Sequence, residues 1–398
     1  MVIRRLTLTD YRNYPCVTFS PSQGITVFHG ANGAGKTNLL EAIHLCCLGR
    51  SHRVSQDREL IRQGCPSGGV SVQVMRQDGR REVAVRLWAQ QRRAKQILLN
   101  GKPAARIGEL MGHVNCVMFS PEDLELIKDG PALRRRFMDM QLSQLRPAYF
   151  YALQKYVSTL NQRNALLRAL SAPGAAKNAE EQLEAWDEQL AREGAAITEQ
   201  RRWFADILQR TAAQNYEYIS GLKEEVFLAR YTGPLSKAEK LYEGMLEGLR
   251  KTRREDLYRR VTHFGPHRDD LILTLKGREM KNFASQGQMR TAALALRLSQ
   301  LSLMKGETGE APVLLLDDVM SELDPRRRAL LLERIQGVQT FVTCTDESDL
   351  SGAKAQMVVE VCADRETGTA SLKEAENKDE QGLPGTDSNA KHDPAYPF

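Results

Sequence analysis

Gly30-Ala31-Asn32-Gly33-Ala34-Gly35-Lys36-Thr37 fits the phosphate-binding pattern G-x-x-x-x-G-K-[ST]. Before it, Gly24-Ile25-Thr26-Val27-Phe28-His29 is a β-branched run that predicts a strand. After it, Asn38 to Leu45 predicts a helix, with Leu39, Leu40 and Ile43 spaced for one apolar face. Strand, glycine loop and helix is the order the chemistry needs. Three glycines let the backbone curl until successive N–H groups face phosphate oxygens, and the helix N-terminus adds its partial positive charge. Lys36 is placed to reach the β- and γ-phosphates, and the Thr37 hydroxyl to ligate Mg2+. The stretch predicts a nucleoside triphosphate site.

A second half of that site stands far downstream. Val313-Leu314-Leu315-Leu316-Asp317-Asp318 is an apolar run ending in two carboxylates, as a buried strand delivering an acid to a metal requires. Asp317 is the expected metal ligand and Asp318 the residue expected to orient or deprotonate an attacking water. Upstream, Ser285-Gln286-Gly287-Gln288 precedes the apolar helix around Ala292–Leu298, with Ser285 at an N-cap and Gln288 at the capping-box position. Downstream comes Ser321-Glu322-Leu323-Asp324.

At 398 residues the chain is long enough for two or three domains, and its 41% hydrophobic and 27% charged content is that of a globular protein. No apolar run approaches the ~20 residues of a membrane span, and Met1-Val2-Ile3-Arg4-Arg5-Leu6 lacks a secretory h-region. Seven cysteines without a C-x-x-C pair argue against a disulfide framework or zinc site and predict a reduced, cytoplasmic setting. Net charge is +6; residues 364–398 hold eight acids and four bases, so residues 1–363 carry +10. A basic body suits a polyanionic partner.

Along the chain, residues 1–28 and 50–120 read as β-rich, and Asn100-Gly101 is a strong hairpin signal. Antiparallel sheet is thus expected beside the nucleotide core. From about Arg134 to Lys251 long helices are predicted, with apolar faces through Leu153, Tyr156, Val157 and Leu160 and through Leu183, Trp186, Leu190, Ile197, Phe204 and Leu208. No heptad seam persists there for several heptads, so a long coiled coil is not expected. The α/β texture returns at Val261, with Thr340-Phe341-Val342-Thr343 as a further strand. After Asp364 a polar composition predicts disorder.

The glycine loop, Ser-x-Gly-Gln before a helix, the acid strand and Ser-Glu-Leu-Asp, in this order, resemble the ATP-binding-cassette ATPases of the SMC group. Within that group the chain resembles the RecF family of bacterial recombinational repair. The likeness is carried further by Phe119-Ser120-Pro121-Glu122-Asp123-Leu124, by Arg134-Arg135-Arg136-Phe137-Met138-Asp139 and by Gly265-Pro266-His267-Arg268-Asp269-Asp270-Leu271. It spans residue 1 to about 360. The resemblance implies an α/β fold: an ABC-type P-loop ATPase head with an antiparallel β subdomain and an inserted α-helical lobe. The expected divisions are 1–130 and 261–363 for the head, 131–260 for the lobe and 364–398 for a disordered acidic tail.

The resemblance also implies ATP and Mg2+ as cofactors and an ATP-dependent homodimer. Ser285, Gln286, Gly287 and Gln288 of one protomer would cap the ATP on its partner, and Asp324 would couple the two sites. Arg12 and Asn13 stand where related proteins place an ATP-contacting arginine. The implied function is a weak, DNA-stimulated ATPase that clamps duplex DNA near single-strand gaps in repair and replication restart. RecR and RecO would be its partners, and it would help load RecA. The sequence departs from the cassette pattern at Asp318, where Glu is usual, and lacks a Q-loop Gln near Val117–Asp123, where Glu122 is the stand-in. No histidine directly follows Thr343, leaving Thr343 or Thr345 in that place. A transporter subunit is disfavoured by the helical insert and by the poor match to Leu-Ser-Gly-Gly-Gln. A P-loop kinase has no use for the signature, and a structural tether needs long coiled coils.

Overall fold

The computed structural model describes residues 1–90, 94–170, 179–346, 355–364 and 366–374. Three sheets organise it. The antiparallel sheet is built from β1 (Val2–Tyr11), β2 (Tyr14–Phe19), β4 (Ser67–Arg76), β5 (Gly79–Trp88), β6 (Lys95–Leu99) and β7 (Lys102–Pro103), in the order β2-β1-β4-β5-β6-β7. Its last hairpin turns at Asn100 and Gly101, both at positive φ (50° and 77°), the conformation that an Asn-Gly turn supplies.

The central sheet holds β3 (Ile25–His29), β8 (Cys116–Phe119), β12 (Val313–Asp317), β13 (Thr340–Cys344), β14 (Met357–Ala363) and β15 (Ala370–Glu374). Its order is β15-β14-β3-β13-β12-β8, parallel except at the β15 edge. All five residues of β12 are buried, because both sheet faces are covered. Val313 and Leu315 face a core shared with the antiparallel sheet and α1 (Lys36–Leu48), while Leu314 and Leu316 face the core on the other side.

That second core extends into the helices. These are the short α2 (Glu125–Lys128), then α3 (Pro131–Leu145), α4 (Pro147–Leu170), α5 (Ala179–Ser220) and α6 (Leu241–Arg259). They are followed by α7 (Met280–Phe283), α8 (Gln286–Thr308), α9 (Val319–Glu322) and α10 (Pro325–Arg334). At 42 residues α5 is about 63 Å long, packing on α4 at one end and α8 at the other. One apolar cluster runs from Leu316 and Val342 through Leu298 to Phe204 and Leu190, so lobe and head share a core.

Three expectations need correction. The helical lobe contains a strand, β9 (Phe227–Thr232), which pairs with β10 (Asp270–Leu275), itself joined to β11 (Arg278–Glu279). Phe227 and Ala229 alternate into the core, a period-two pattern too short to stand out among helices. The tail begins later than Asp364: β15 pairs with β14, burying Ala370, and the Ala370 N–H donates to the Asn13 carbonyl at 2.7 Å. The remainder of that predicted tail, 375–398, lies outside the described residues. Val157, assigned to an apolar face, is 46% exposed; α4 instead buries Tyr156, Thr159, Arg163 and Leu167.

Candidate active site

The phosphate loop leaves the end of β3 and enters α1. Gly30, Gly33 and Gly35 have φ of 142°, 81° and 116°. A Cβ on Gly30 would stand 2.4 Å from the Val361 carbonyl oxygen, and one on Gly35 would stand 2.8 Å from the Asn13 amide. The loop therefore admits no side chain at either position. No side chain caps α1, so its first N–H groups are left to the loop concavity. Lys36 donates to the carbonyls of Gly30 (2.6 Å) and Ala31 (3.0 Å). Burial lowers its pKa, against the opposing fields of Asp318, Cys344 and Asp317.

Sheet order brings the acids to this loop. Because β13 lies between β3 and β12, the register sets Thr343 beside both Phe28 and Asp317. The Thr37 hydroxyl donates to Asp317 Oδ1 at 2.8 Å, and Thr343 donates to the same oxygen at 2.7 Å. Thr343 also accepts the Asp318 N–H at 2.9 Å. Burial raises the pKa of Asp317, opposed by these two hydroxyls and reinforced by the charge of Glu122. Asp318 adopts a left-handed conformation (φ 53°) that turns the chain out of the strand into α9. Thr345 reaches Asn32 at 3.3 Å. Of the two stand-ins for a switch histidine, Thr343 is the one bonded to both acids.

Asn13 belongs to the loop: its Nδ2 donates to the Ala34 carbonyl (2.9 Å) and its Oδ1 accepts from Asn38 (2.9 Å). Tyr14 supports the same turn, its hydroxyl donating to the Gly35 carbonyl at 3.1 Å. Arg12 is bound elsewhere, with both arms on Glu41 (2.7 and 2.8 Å) and a third bond to the Glu59 carbonyl. Burial pushes the Glu41 carboxyl up, but Arg12 and Ser51 outweigh it and its pKa lies below the usual value. Glu41 and Tyr14 were not identified from sequence. A lone acid inside Leu39-Leu40-Glu41-Ala42-Ile43 was the available signal, since an acid on an apolar face needs a partner.

The signature lies apart from this cluster. Ser285 caps α8, accepting the Gln288 N–H at 3.2 Å while Gln288 Oε1 accepts the Ser285 N–H at 2.9 Å. Gln288 also donates to Glu225 (2.9 Å). Ser285 and Gln286 are exposed. Asp324 caps α10 through the Arg327 N–H and pairs with the Arg327 guanidinium at 2.8 Å; the backbone bond leads in lowering its pKa. The Arg327 guanidinium also lies near Gly287, 3.7 Å from where a Cβ would stand. Signature and Asp324 are thus neighbours, with no hydrogen bond to the phosphate loop among the described residues.

These residues fit ATP and Mg2+: a glycine cradle that a Cβ would obstruct, an uncapped helix end, and two hard oxygen donors already 2.8 Å apart at Thr37 and Asp317. The RecF/RecN/SMC N terminal domain family matches residues 2–368. The DNA replication and repair protein RecF of Ruminiclostridium cellulolyticum is 41% identical over 355 residues, covering 87% of this chain and 93% of the relative. The chain belongs to the RecF family.

RecF of Halothermothrix orenii is likewise 41% identical, over 360 residues, with 88% and 94% covered. Among solved structures, the recombination mediator protein RecF of the RecFOR pathway, in complexes described as RecF-ATPrS and RecF-ATP, superposes with a TM-score of 0.84 in both. Identity to these is 33% and 32%, covering 93–94% of this chain and 97% of each RecF chain. An Smc head bound to the C-winged helix domain of ScpA shares the fold at 17% identity and a TM-score of 0.55. The RecF-family fold here is thus the α/β ABC-type head expected from the sequence, in a family of DNA replication and repair proteins. Among the described residues no helix is long and apolar enough to cross a membrane.

Proposed function

We propose that this chain is an ATP-dependent DNA-binding protein of recombinational repair and replication restart, a slow ATPase whose dimer closes on ATP. Gly30 to Thr37 and Asn13 hold the triphosphate, with Lys36 exchanging its carbonyl partners for phosphate oxygens. Thr37 and Asp317 hold Mg2+, which when bound neutralises charge on the phosphate oxygens. Asp318 orients the attacking water and accepts its proton, with its backbone fixed by Thr343. Its side chain is one methylene shorter than the usual Glu, which suits slow turnover. Arg12 acts at one remove, through Glu41 on α1.

The observation that carries the dimer is the surface around Ser285. A capped helix end faces solvent, and Phe283 beside it is 60% exposed, with Arg278 stacked 3.6 Å from its ring centroid. Leu222 and Val226 flank Glu225, the residue bonded to Gln288, and are 52% and 54% exposed. An apolar collar round a positively polarised helix end suits a second copy presenting its bound γ-phosphate. Hydrolysis removes that charge and opens the dimer. In the ATP-closed dimer the +10 body binds duplex DNA through its phosphates near single-strand gaps, without reading bases, and opening releases it. In this reading RecR and RecO are its partners and RecA is the protein loaded, in the cytoplasm; the likeness to RecF of the RecFOR pathway supports it.

The test is DNA retention and light scattering with ATP or ADP. ATP should drive both dimerisation and DNA retention, Lys36→Arg should lose both, and Asp318→Asn should prolong them. A protein that stays monomeric and binds DNA equally with either nucleotide refutes the gated dimer.

A further inference from the structure

Arginine pairs recur along the chain, and the structure separates those already engaged from those that are not. Arg134 is held by Asp270, Arg81 by Asp78, Arg327 by Asp324, and Arg135 by the Asp269 carbonyl. Arg92 and Arg93 lie outside the described residues. On α6, Arg253 is consumed by Glu184 and Asp187, and Arg259 by Glu255. Arg254 and Arg260 are exposed and have no carboxylate partner among the described residues.

Between these two stands Tyr258, 87% exposed, the highest value for any exposed large hydrophobic side chain among the described residues. It lies one turn beyond Arg254, on the same helix face. Arg260 follows as the C-cap of α6 in the left-handed conformation, φ 60°, with its N–H on the Asp256 carbonyl. Glycine takes that position without steric penalty, and arginine does not. A long cation kept at a strained cap points to use of its side chain. The platform beneath is rigid: buried Asp256 binds Arg163 at 2.8 Å and both the N–H and Nδ1 of His263 at 2.9 Å.

We propose that Tyr258, Arg254 and Arg260 form a contact for single-stranded DNA. An unpaired base stacks on the phenol ring while the two guanidinium groups engage flanking phosphates. This rests on the DNA-binding reading above and places one contact for it on the lobe. A single strand is the occupant because the exposed ring offers a π-face, and only an unpaired base has a free face to meet it. A duplex would use the guanidinium groups alone.

The experiment is fluorescence anisotropy of the full chain with labelled oligo(dT) and with a duplex of the same length, across a salt series. Tyr258→Ala should weaken oligo(dT) binding about 10-fold and duplex binding less than about 2-fold. Arg260→Gly should weaken both ligands, lower the oligo(dT) salt slope by about 0.7 and raise Tm, because it relieves the cap. A purely structural arginine would not move binding down and stability up together. Unchanged oligo(dT) affinity in Tyr258→Ala, or unchanged binding of either ligand in Arg260→Gly, overturns the contact. A wild type that binds neither ligand overturns the DNA-binding reading itself.

Discussion

Arg163 in the helical lobe has no exposed side-chain surface and is held by two equally buried carboxylates, Asp187 at 2.6 Å and Asp256 at 2.8 Å. Lys36 in the phosphate loop is also buried, yet its two partners are the neutral carbonyls of Gly30 and Ala31. The difference separates a cation locked between opposite charges from one held by neutral groups, as the proposed ATP site requires. A carboxylate in a poorly solvated interior binds its arginine too firmly to release it. A carbonyl gives way to an arriving phosphate. The same contrast divides Arg201, locked between Asp139 and Asp269 where the lobe meets the head, from Thr37, whose hydroxyl merely bridges to Asp317. Firm charges set the geometry of the lobe, whereas Lys36 and Thr37 have partners that an arriving ligand could displace.

The largest effect should come from breaking the lobe. Asp256→Ala strips Arg163 of one carboxylate and His263 of its acceptor, and should cost about 3–5 kcal/mol in denaturant unfolding. A loss under about 1 kcal/mol would mean the network contributes little rigidity. Next is His267, whose Nδ1 accepts from Tyr156 (2.7 Å) and whose Nε2–H donates to the Thr262 carbonyl (3.0 Å). Burial leads in lowering its pKa to about 4. Between about 6.5 and 4 the unfolded chain binds a proton that the folded chain refuses, so stability falls as pH drops through that window. The loss should approach about 3 kcal/mol by pH 4, and His267→Gln should flatten that part of a pH–stability curve. The smallest effect is expected at Lys36: Lys36→Met should leave unfolding stability within about 1 kcal/mol while abolishing ATP binding in equilibrium titration. Substantial destabilisation there would mean that the lysine is as structural as Arg163.

Much of the head was legible because its signals are local. A β-branched run, three glycines and a periodic helix announce the phosphate loop, and Asn100-Gly101 announces a hairpin, each within a few residues. The lobe was harder to read for a physical reason. Along α5 the buried positions Leu183, Asp187, Leu190, Gly194, Ile197, Arg201, Phe204 and Leu208 alternate by four and three, a heptad seam. Asp187 and Arg201 interrupt its apolar pattern, so the sequence shows no persistent seam. Their burial is tolerated only because Arg163, Arg253, Asp139 and Asp269 stand opposite, on other elements. Strand β9 was obscured by its helical surroundings, and β15 by the polar composition around it.

By itself the sequence determined the phosphate loop, the acid strand and the capped signature helix, since backbone torsions, glycine geometry and capping depend on neighbours a few residues away. The tertiary structure decided which groups meet. Thr37 and Asp317 are 280 residues apart in sequence and 2.8 Å apart in space. Thr343 touches both acids only because β13 inserts between β3 and β12. Strand order of that kind follows from how apolar faces are buried across the whole chain, and no short stretch carries it.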